Sequence, residues 1–226
     1  MVEIKKSNKK NVWIVVPAYN ESKNISHVLK KAKKHAKNIV VVDDSSKDNT
    51  YNLAKKEGVI VLSHIINLGK GAALKTGCDF AIKKGAKILV AMDADAQHDP
   101  NEIPNFLNAL KGKDVVLGYR EFHKKMPLIF RFGNLFISKT TKFLYGLNLR
   151  DTQCGYRSFT SDAYTKMRWD ALDYSMESEM IANIGKYKFR YTEIPVPTIY
   201  SEKHKGTTFL DGIKIVINMI FWRLSR

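Results

Sequence analysis

Four short apolar runs alternate with amphipathic stretches over residues 12–92, and this alternation constrains the fold more than any other feature of the chain. The runs are Val12-Trp-Ile-Val-Val, ended by Pro17, then Ile39-Val-Val-Val, Val59-Ile-Val-Leu and Ile88-Leu-Val-Ala-Met. None of them alternates with polar residues, so each is expected to be covered on both faces. Helices are expected between them, over about Lys23–Ala36, Asp48–Glu57 and Gly71–Lys84. In the first, Ile25, Val28, Leu29 and Ala32 share one face. Strands joined by helical crossovers give an α/β fold, a Rossmann-like, mostly parallel sheet flanked by helices. Open sheets of this kind bind ligands beyond the carboxyl ends of their strands.

The informative polar residues fall at those ends: Pro17–Glu21, Asp43–Ser46 and Asp93–Gln97. Asp93 and Asp95, one residue apart past an apolar run, should point to the same side. That geometry suits a hard divalent cation, Mg²⁺ or Mn²⁺, that also grips a diphosphate. Helix capping accounts for Asp99 and Pro100 but not for this pair. The glycine-rich segment Asn67–Gly77 departs from both familiar nucleotide loops. Leu74 stands where a dinucleotide fingerprint needs glycine or alanine, and Lys75-Thr76 follows Leu74 instead of a P-loop glycine. A dehydrogenase or an NTPase is therefore disfavoured. What remains is a tight turn with Lys70 near a helix N-terminus, a phosphate neighbour.

The second half is less regular. Asp114–Gly118 reads as a strand with Arg120 just beyond it, and residues 126–146 and 210–226 mix apolar with basic side chains. The 226 residues are expected to form a single domain. Its 38 Lys and Arg outnumber 22 Asp and Glu, so a formal charge of +16 points to anionic partners: nucleic acid, anionic lipid or phosphorylated substrates. Cys78 and Cys154 lack metal-ligand spacing and are expected to be reduced, in a cytosolic setting. Lysines lead directly into the first strand, so no signal peptide is expected. No apolar stretch reaches the roughly 20 residues of a membrane span.

The segments Pro17-Ala-Tyr-Asn-Glu21, Val41–Ser46, Asn67–Gly77 and Asp93–His98, in this order and spacing, resemble family 2 glycosyltransferases of the GT-A fold. Asp151-Thr-Gln-Cys-Gly-Tyr-Arg157 and Met176-Glu-Ser-Glu-Met180 extend the likeness to the branch acting on polyprenyl or dolichyl phosphate. There the wording is closer to dolichyl-phosphate glucose synthases than to mannose synthases. The resemblance implies a nucleotide-sugar half over about 11–120 and an acceptor half over about 121–226. It places Pro17, Ala18, Tyr19 and Glu21 along the nucleoside, with Val42 and Asp44 at its base and ribose. Asp93 and Ala94 would face the ribose or sugar, and Asp95, Gln97 and Asp93 would hold the Mg²⁺ or Mn²⁺. Lys70, Arg157 and Lys203 complete the implied substrate contacts, and Arg120 and Arg131 match acceptor-phosphate positions. Asp95, Arg120 and Arg131 are thus the implied catalytic residues.

A sugar-hydroxyl acceptor needs a carboxylate base, for which Glu177 and Glu179 are candidates. A phosphate monoester is mostly ionised near neutral pH and needs none, whereas arginine forks suit it well. Mannose synthases of the family close their site with an arginine and a Gly-x-Ser-Lys segment. Here Phe209 replaces the lysine after Gly206, although Lys203 and Lys205 keep basic charge nearby. A UDP-sugar such as UDP-glucose or UDP-GlcNAc is therefore expected over GDP-mannose, and His204 is a further candidate for the metal shell. The amphipathic segments suit an anionic membrane surface, peripheral and on the cytoplasmic face, and leave room for a separate membrane-anchoring protein. The competing readings are a hydroxyl acceptor, a sugar nucleotidyltransferase and a nucleic-acid-binding module. No nucleic-acid motif is present, and the nucleotidyltransferase glycine signature is missing.

Overall fold

The structure, a computed structural model, describes residues 11–120, 128–197 and 216–223, with the backbone alone for 128–136. The strands are β1 (Val12–Ala18), β2 (Asn38–Asp43), β3 (Ile60–Ser63), β4 (Ile88–Ala91), β5 (Val115–Arg120), β6 (Arg157–Thr160) and β7 (Tyr191–Val196). They form one sheet in the order β3-β2-β1-β4-β6-β5-β7. All pairings are parallel except those of β6, which runs antiparallel to β4 and β5. The helices are α1 (Ile25–Ala32), α2 (Thr50–Lys56), α3 (Lys70–Lys83), α4 (Ile103–Ala109), α5 (Leu128–Tyr145), α6 (Ser161–Met167) and α7 (Met176–Lys186). A last helix, α8, spans 216–223.

Successive residues of the central strands enter different cores, which is why their sequences do not alternate. Trp13 and Val15 of β1, Val40 and Val42 of β2, and Leu89 of β4 pack with α3, α6 and α7. Ile14, Val16, Ile39, Val41 and Val90 pack on the other face with α1 and α4. Each fully buried Val, Ile or Leu contributes about 1.5–3 kcal/mol. Gly77 lets α3 lie directly on β1, since a Cβ there would sit 2.4 Å from Val15 Cγ1.

Three expectations needed correction. β1 runs through Pro17 to Ala18, because pairing with β4 ends at Val15–Ala91 and only β2 continues alongside the proline. α1 stops at Ala32 instead of Ala36, with the chain turning at Lys33–His35. β3 is a partly exposed edge strand, paired only with β2 among the described strands. A smaller shift is that β5 extends to Arg120, which is its last residue.

Candidate active site

The turns after β1, β2 and β4 meet at one end of the sheet. Four non-glycine residues have positive φ among those described, and three of them, Asn20, Ser45 and Ala96, lie in these turns. Such backbone is costly and persists where surrounding contacts enforce it. Here the Asn20 amide donates to Ser46 Oγ (2.9 Å) and the Lys47 amide to Asn20 Oδ1 (2.8 Å). The Glu21 amide donates to Thr50 Oγ1 at 2.8 Å, and Asn24 Nδ2 to Glu21 Oε2 at 3.0 Å. Pro17, Ala18 and Val42 are buried beneath these turns, while the Tyr19 ring is 40 % exposed beside them. Ala94, also buried, belongs to the core under the β4 turn.

Asp44 is committed to holding a loop. Its Oδ1 accepts from the Leu68 amide (2.9 Å) and lies 2.7 Å from His64 Nδ1, and its Oδ2 accepts from the Gly69 amide (2.8 Å). His64 Nε2 reaches Thr76 Oγ1 on α3 at 3.0 Å. Asp44 thus ties β2 to the chain entering α3. The neighbouring Asp43 has one oxygen on the Ser46 amide, and its buried Oδ1 has no hydrogen-bond partner.

The centre of the site is a buried ion cluster. Lys70 Nζ, at the start of α3, lies 2.8 Å from Asp93 Oδ1 and 3.0 Å from Glu177 Oε1. Burial alone would lower the lysine pKa, but the two carboxylates outweigh it and hold the ammonium firmly charged. Asp93, likewise penalised by burial, is kept below the usual carboxylate range by Lys70. Lys70 therefore bridges two carboxylates, one from the β4 turn and one from α7. Its helix N-terminus is partly closed by another partner, since the Ala72 amide donates to Leu172 O at 3.1 Å. His98 braces the Asp93 backbone: the Asp93 amide donates to His98 Nδ1 (3.3 Å), and the buried ring lies tilted against Tyr156. Burial lowers the His98 pKa, in keeping with a neutral ring that accepts at Nδ1.

Asp95 Oδ1 accepts from the Gln97 amide at 3.0 Å, closing the turn. Its pKa is raised, first by burial and then by the charge of Asp93. A carboxylate in that state is stabilised by an added cation. No group of three His, Cys, Asp or Glu residues among those described forms a metal cage. Mg²⁺ or Mn²⁺ does not need one when a diphosphate brings oxygens of its own. Asp93, Asp95 and Gln97 bring side-chain oxygens to this one turn, the donor type such a cation takes.

The two expected site arginines whose side chains are described, Arg120 and Arg157, both make internal contacts. Arg120 forms a two-point contact with buried Asp151, Nε–Oδ2 at 2.6 Å and Nη2–Oδ1 at 3.1 Å, and its charge also acts on Asp93. Arg157, expected at the substrate, is 2 % exposed. Its guanidinium donates to the carbonyls of Cys154, Glu177 and Thr152 at 2.9–3.0 Å. It organises the 152–157 turn against α7, because all those donors are consumed internally. Gly155 in that turn leaves room for the ion pair: a Cβ would sit 2.8 Å from Asp93 Oδ2 and 2.9 Å from Lys70 Nζ, so one of them would have to shift. Glu179 Oε2 accepts from the amides of Asp170 and Ala171. Arg131 lies on α5 with its side chain outside the described residues, and Lys203 and His204 lie outside them entirely. No helix among the described residues is long and apolar enough to cross a membrane. Both cysteines are buried and unpaired with each other.

The sequence assigned no role to His64, His98, Asp151 or Gly155, although the last three lie in the segments Asp93–His98 and Asp151–Arg157 that carry the resemblance. His98 closes the β4 turn five residues after Asp93, a spacing that could have marked it. Nothing local marks Asp151 or Gly155, whose partners are distant in the chain.

Residues 13–168 match the family model described as Glycosyl transferase family 2. A Methanococcus voltae protein, UDP-N-acetylglucosamine–dolichyl-phosphate N-acetylglucosaminyltransferase, is 34% identical over 96% of this chain and 98% of its own. The polyprenol monophosphomannose synthase of Mycolicibacterium smegmatis is 29% identical over 89% of this chain and 82% of its own. Among solved structures, glucosyl-3-phosphoglycerate synthase from Mycobacterium tuberculosis, in complex with Mn²⁺, UDP and glucosyl-3-phosphoglycerate, superposes with a TM-score of 0.73. It is 19% identical, over 97% of this chain and 81% of that one.

Proposed function

Because the chain belongs to glycosyl transferase family 2, an enzyme family of GT-A fold, we propose that it transfers one hexose from a nucleotide-diphosphate sugar to polyprenyl or dolichyl phosphate, inverting the anomeric centre. The observation that carries this reading is the cluster at the end of β4. Asp93 is fixed by Lys70, Asp95 stands beside it, and Arg120 lies close enough to act on the same carboxylate. A donor diphosphate and an acceptor phosphate can therefore meet at one place.

An acceptor phosphate oxygen attacks the anomeric carbon, and the bond from that carbon to the diphosphate breaks on the opposite side. No proton has to be removed from the ionised phosphate. Arg120, its plane set by Asp151, and Arg131 are assigned to the acceptor oxygens. Tyr19 offers its exposed ring to the base, and Glu21 lies in the adjoining turn. Asp95, Gln97 and Asp93 are assigned to the Mg²⁺ or Mn²⁺, which when bound neutralises charge on the departing diphosphate. A saccharide-hydroxyl acceptor is less well supported. Glu177 is engaged by Lys70 and Glu179 by two loop amides, so both candidate bases are tied to structural partners.

The N-acetylglucosaminyltransferase relative supports a UDP-sugar over GDP-mannose, with UDP-GlcNAc and UDP-glucose the first donors to try. The enzyme would work as a peripheral protein at the cytoplasmic membrane face. The test incubates the protein with Mn²⁺, phospholipid, polyprenyl phosphate and labelled UDP- and GDP-sugars. Label should enter the lipid phase from one donor, and Asp95→Ala should abolish this without lowering the unfolding temperature. Full activity in excess chelator would refute the metal assignment.

A further inference from the structure

The loop joining α6 to α7 has two different faces. On its inner side it packs on the start of α3, beside Lys70. Leu172 O takes the Ala72 amide, and a Cβ on Gly69 would sit 2.5 Å from that same oxygen. A Cβ on Gly71 would lie 2.4 Å from Ala171 O, and the Tyr174 ring is 5.7 Å from Lys70 Nζ. Glu179 anchors the loop from α7 through the Asp170 and Ala171 amides. On its outer side, Leu172 is 52 % and Tyr174 63 % exposed, large apolar groups on a segment held in place by several contacts.

This outer side adjoins α8. Leu172 and Asp173 line the same cavity as Asn218, Phe221 and Trp222. α8 is apolar on both faces. Met219, with Val216 and Trp222, packs on Ile137, Leu144 and Tyr145 of α5, and Tyr145 Oη donates to Met219 O at 2.5 Å. Ile217, Ile220 and Phe221, spaced to share one face, are exposed. An exposed apolar face on a helix whose other face is already packed marks a surface that meets a partner or a membrane.

We propose that Leu172 and Tyr174, together with the outward face of α8, form one bilayer-contacting surface, so that the loop packed on the start of α3 rests in the headgroup layer of an anionic membrane. This extends the lipid-phosphate reading above and rests on it. Charge selects the occupant. Lys139 and Lys142 on α5, Lys186 at the end of α7 and Arg223 at the end of α8 are exposed, and the last two line a common cavity. A second copy docking here would oppose like charges, whereas an anionic leaflet neutralises them. Asp173 is turned to Ser175, and exposed Asp170 keeps the loop at headgroup depth instead of in the hydrocarbon.

The test is co-sedimentation of the full chain with phosphatidylcholine vesicles, with and without phosphatidylglycerol. The wild type should bind the anionic vesicles, and less so at high salt. Leu172→Ser, Tyr174→Ser and the double variant Ile217→Ser/Ile220→Ser should each bind ~10-fold more weakly, a size expected for removing one or two inserted apolar side chains. Because these positions are exposed, their unfolding temperatures should match the wild type. The Ile217→Ser/Ile220→Ser variant should use a short water-soluble prenyl phosphate as well as the wild type in vesicle-free buffer, yet lose about tenfold on long-chain prenyl phosphate in vesicles. Wild-type vesicle binding by both loop variants would overturn the proposal, as would equal losses on both acceptors. So would a concentration-dependent dimer disrupted by these substitutions while vesicle binding stayed intact. Vesicle binding without any labelled prenyl phosphate would uphold the surface and refute the acceptor reading alone.

Discussion

Gly155→Ala should impair the site although Gly155 has no side chain of its own to offer a substrate or metal. The added methyl would stand 2.8 Å from Asp93 Oδ2, 2.9 Å from Lys70 Nζ and 3.2 Å from Asp93 Oδ1. Ordinary contact begins near 3.4 Å, so the Lys70–Asp93 pair or the 152–157 turn must retreat by roughly 0.6 Å, a form of overpacking that costs about 1–3 kcal/mol. The turn is not free to yield, because Arg157 fastens it through the carbonyls of Thr152 and Cys154. Asp93 therefore takes much of the displacement. Misplacing a reacting constellation by about 1 Å lowers rates on the order of 10²-fold, so a loss of roughly 10–10²-fold in kcat/KM is expected. Steady-state transfer kinetics, calorimetry with nucleoside diphosphate and thermal unfolding report the three parts separately. Gly58→Ala is the control. It has φ +72 and nothing within 4 Å, so it should cost ~1 kcal/mol of stability and leave transfer unchanged. Wild-type donor affinity and rate in Gly155→Ala would refute the claim that this close approach fixes Asp93.

Two further outcomes concern stability. Arg157→Met should lower stability by about 3 kcal/mol, because three buried carbonyls lose their donor, and on a chain of this size that is a fall of roughly 6–12 °C in unfolding temperature. Burial alone would raise the Asp79 pKa, but hydrogen bonds from Arg168 and Tyr164 outweigh it and hold the carboxyl below its ordinary value. Asp114 is lowered chiefly by its hydrogen bond from Arg190. For such depressed groups the stabilisation is present above the unfolded carboxylate pKa of about 4 and is lost as pH falls through the folded values. Unfolding temperature should therefore drop below about pH 4, and Asp79→Asn should flatten part of that drop when melts are compared from neutral to strongly acid pH.

The first half of the fold was legible because its strands are local apolar runs covered on both faces. β3 carries the same signature yet lies at an edge, since a run of Ile, Val and Leu records side-chain type and not the number of neighbours. β6 and β7 were not legible. Arg157-Ser-Phe-Thr and Tyr-Thr-Glu-Ile-Pro-Val each contain charged or polar residues, and both are strands only because β4 and β5 pair with them. At the site, the Asp93/Asp95 pair could be read from its position past a strand. The partners of Lys70 could not, because Asp93 and Glu177 come to it from far along the chain. Asp44 was legible by its type and place after a strand, but its contacts with His64, Leu68 and Gly69 were not.

The reversed strand β6 also sets the order in which the molecule can assemble. β4 has β1 on one side, and its other partner, Arg157–Thr160, leaves the ribosome only roughly 65 residues later, about 3–13 s at ordinary synthesis rates. Through that interval the nascent half-sheet carries an unpaired Ile88-Leu-Val-Ala border, a template for wrong pairing with other chains. Strand insertion must then close a long loop while burying the Arg157 guanidinium, which makes it a slow, late step. Kinetic control over yield is thus concentrated in four residues whose sequence gives little hint of being a strand.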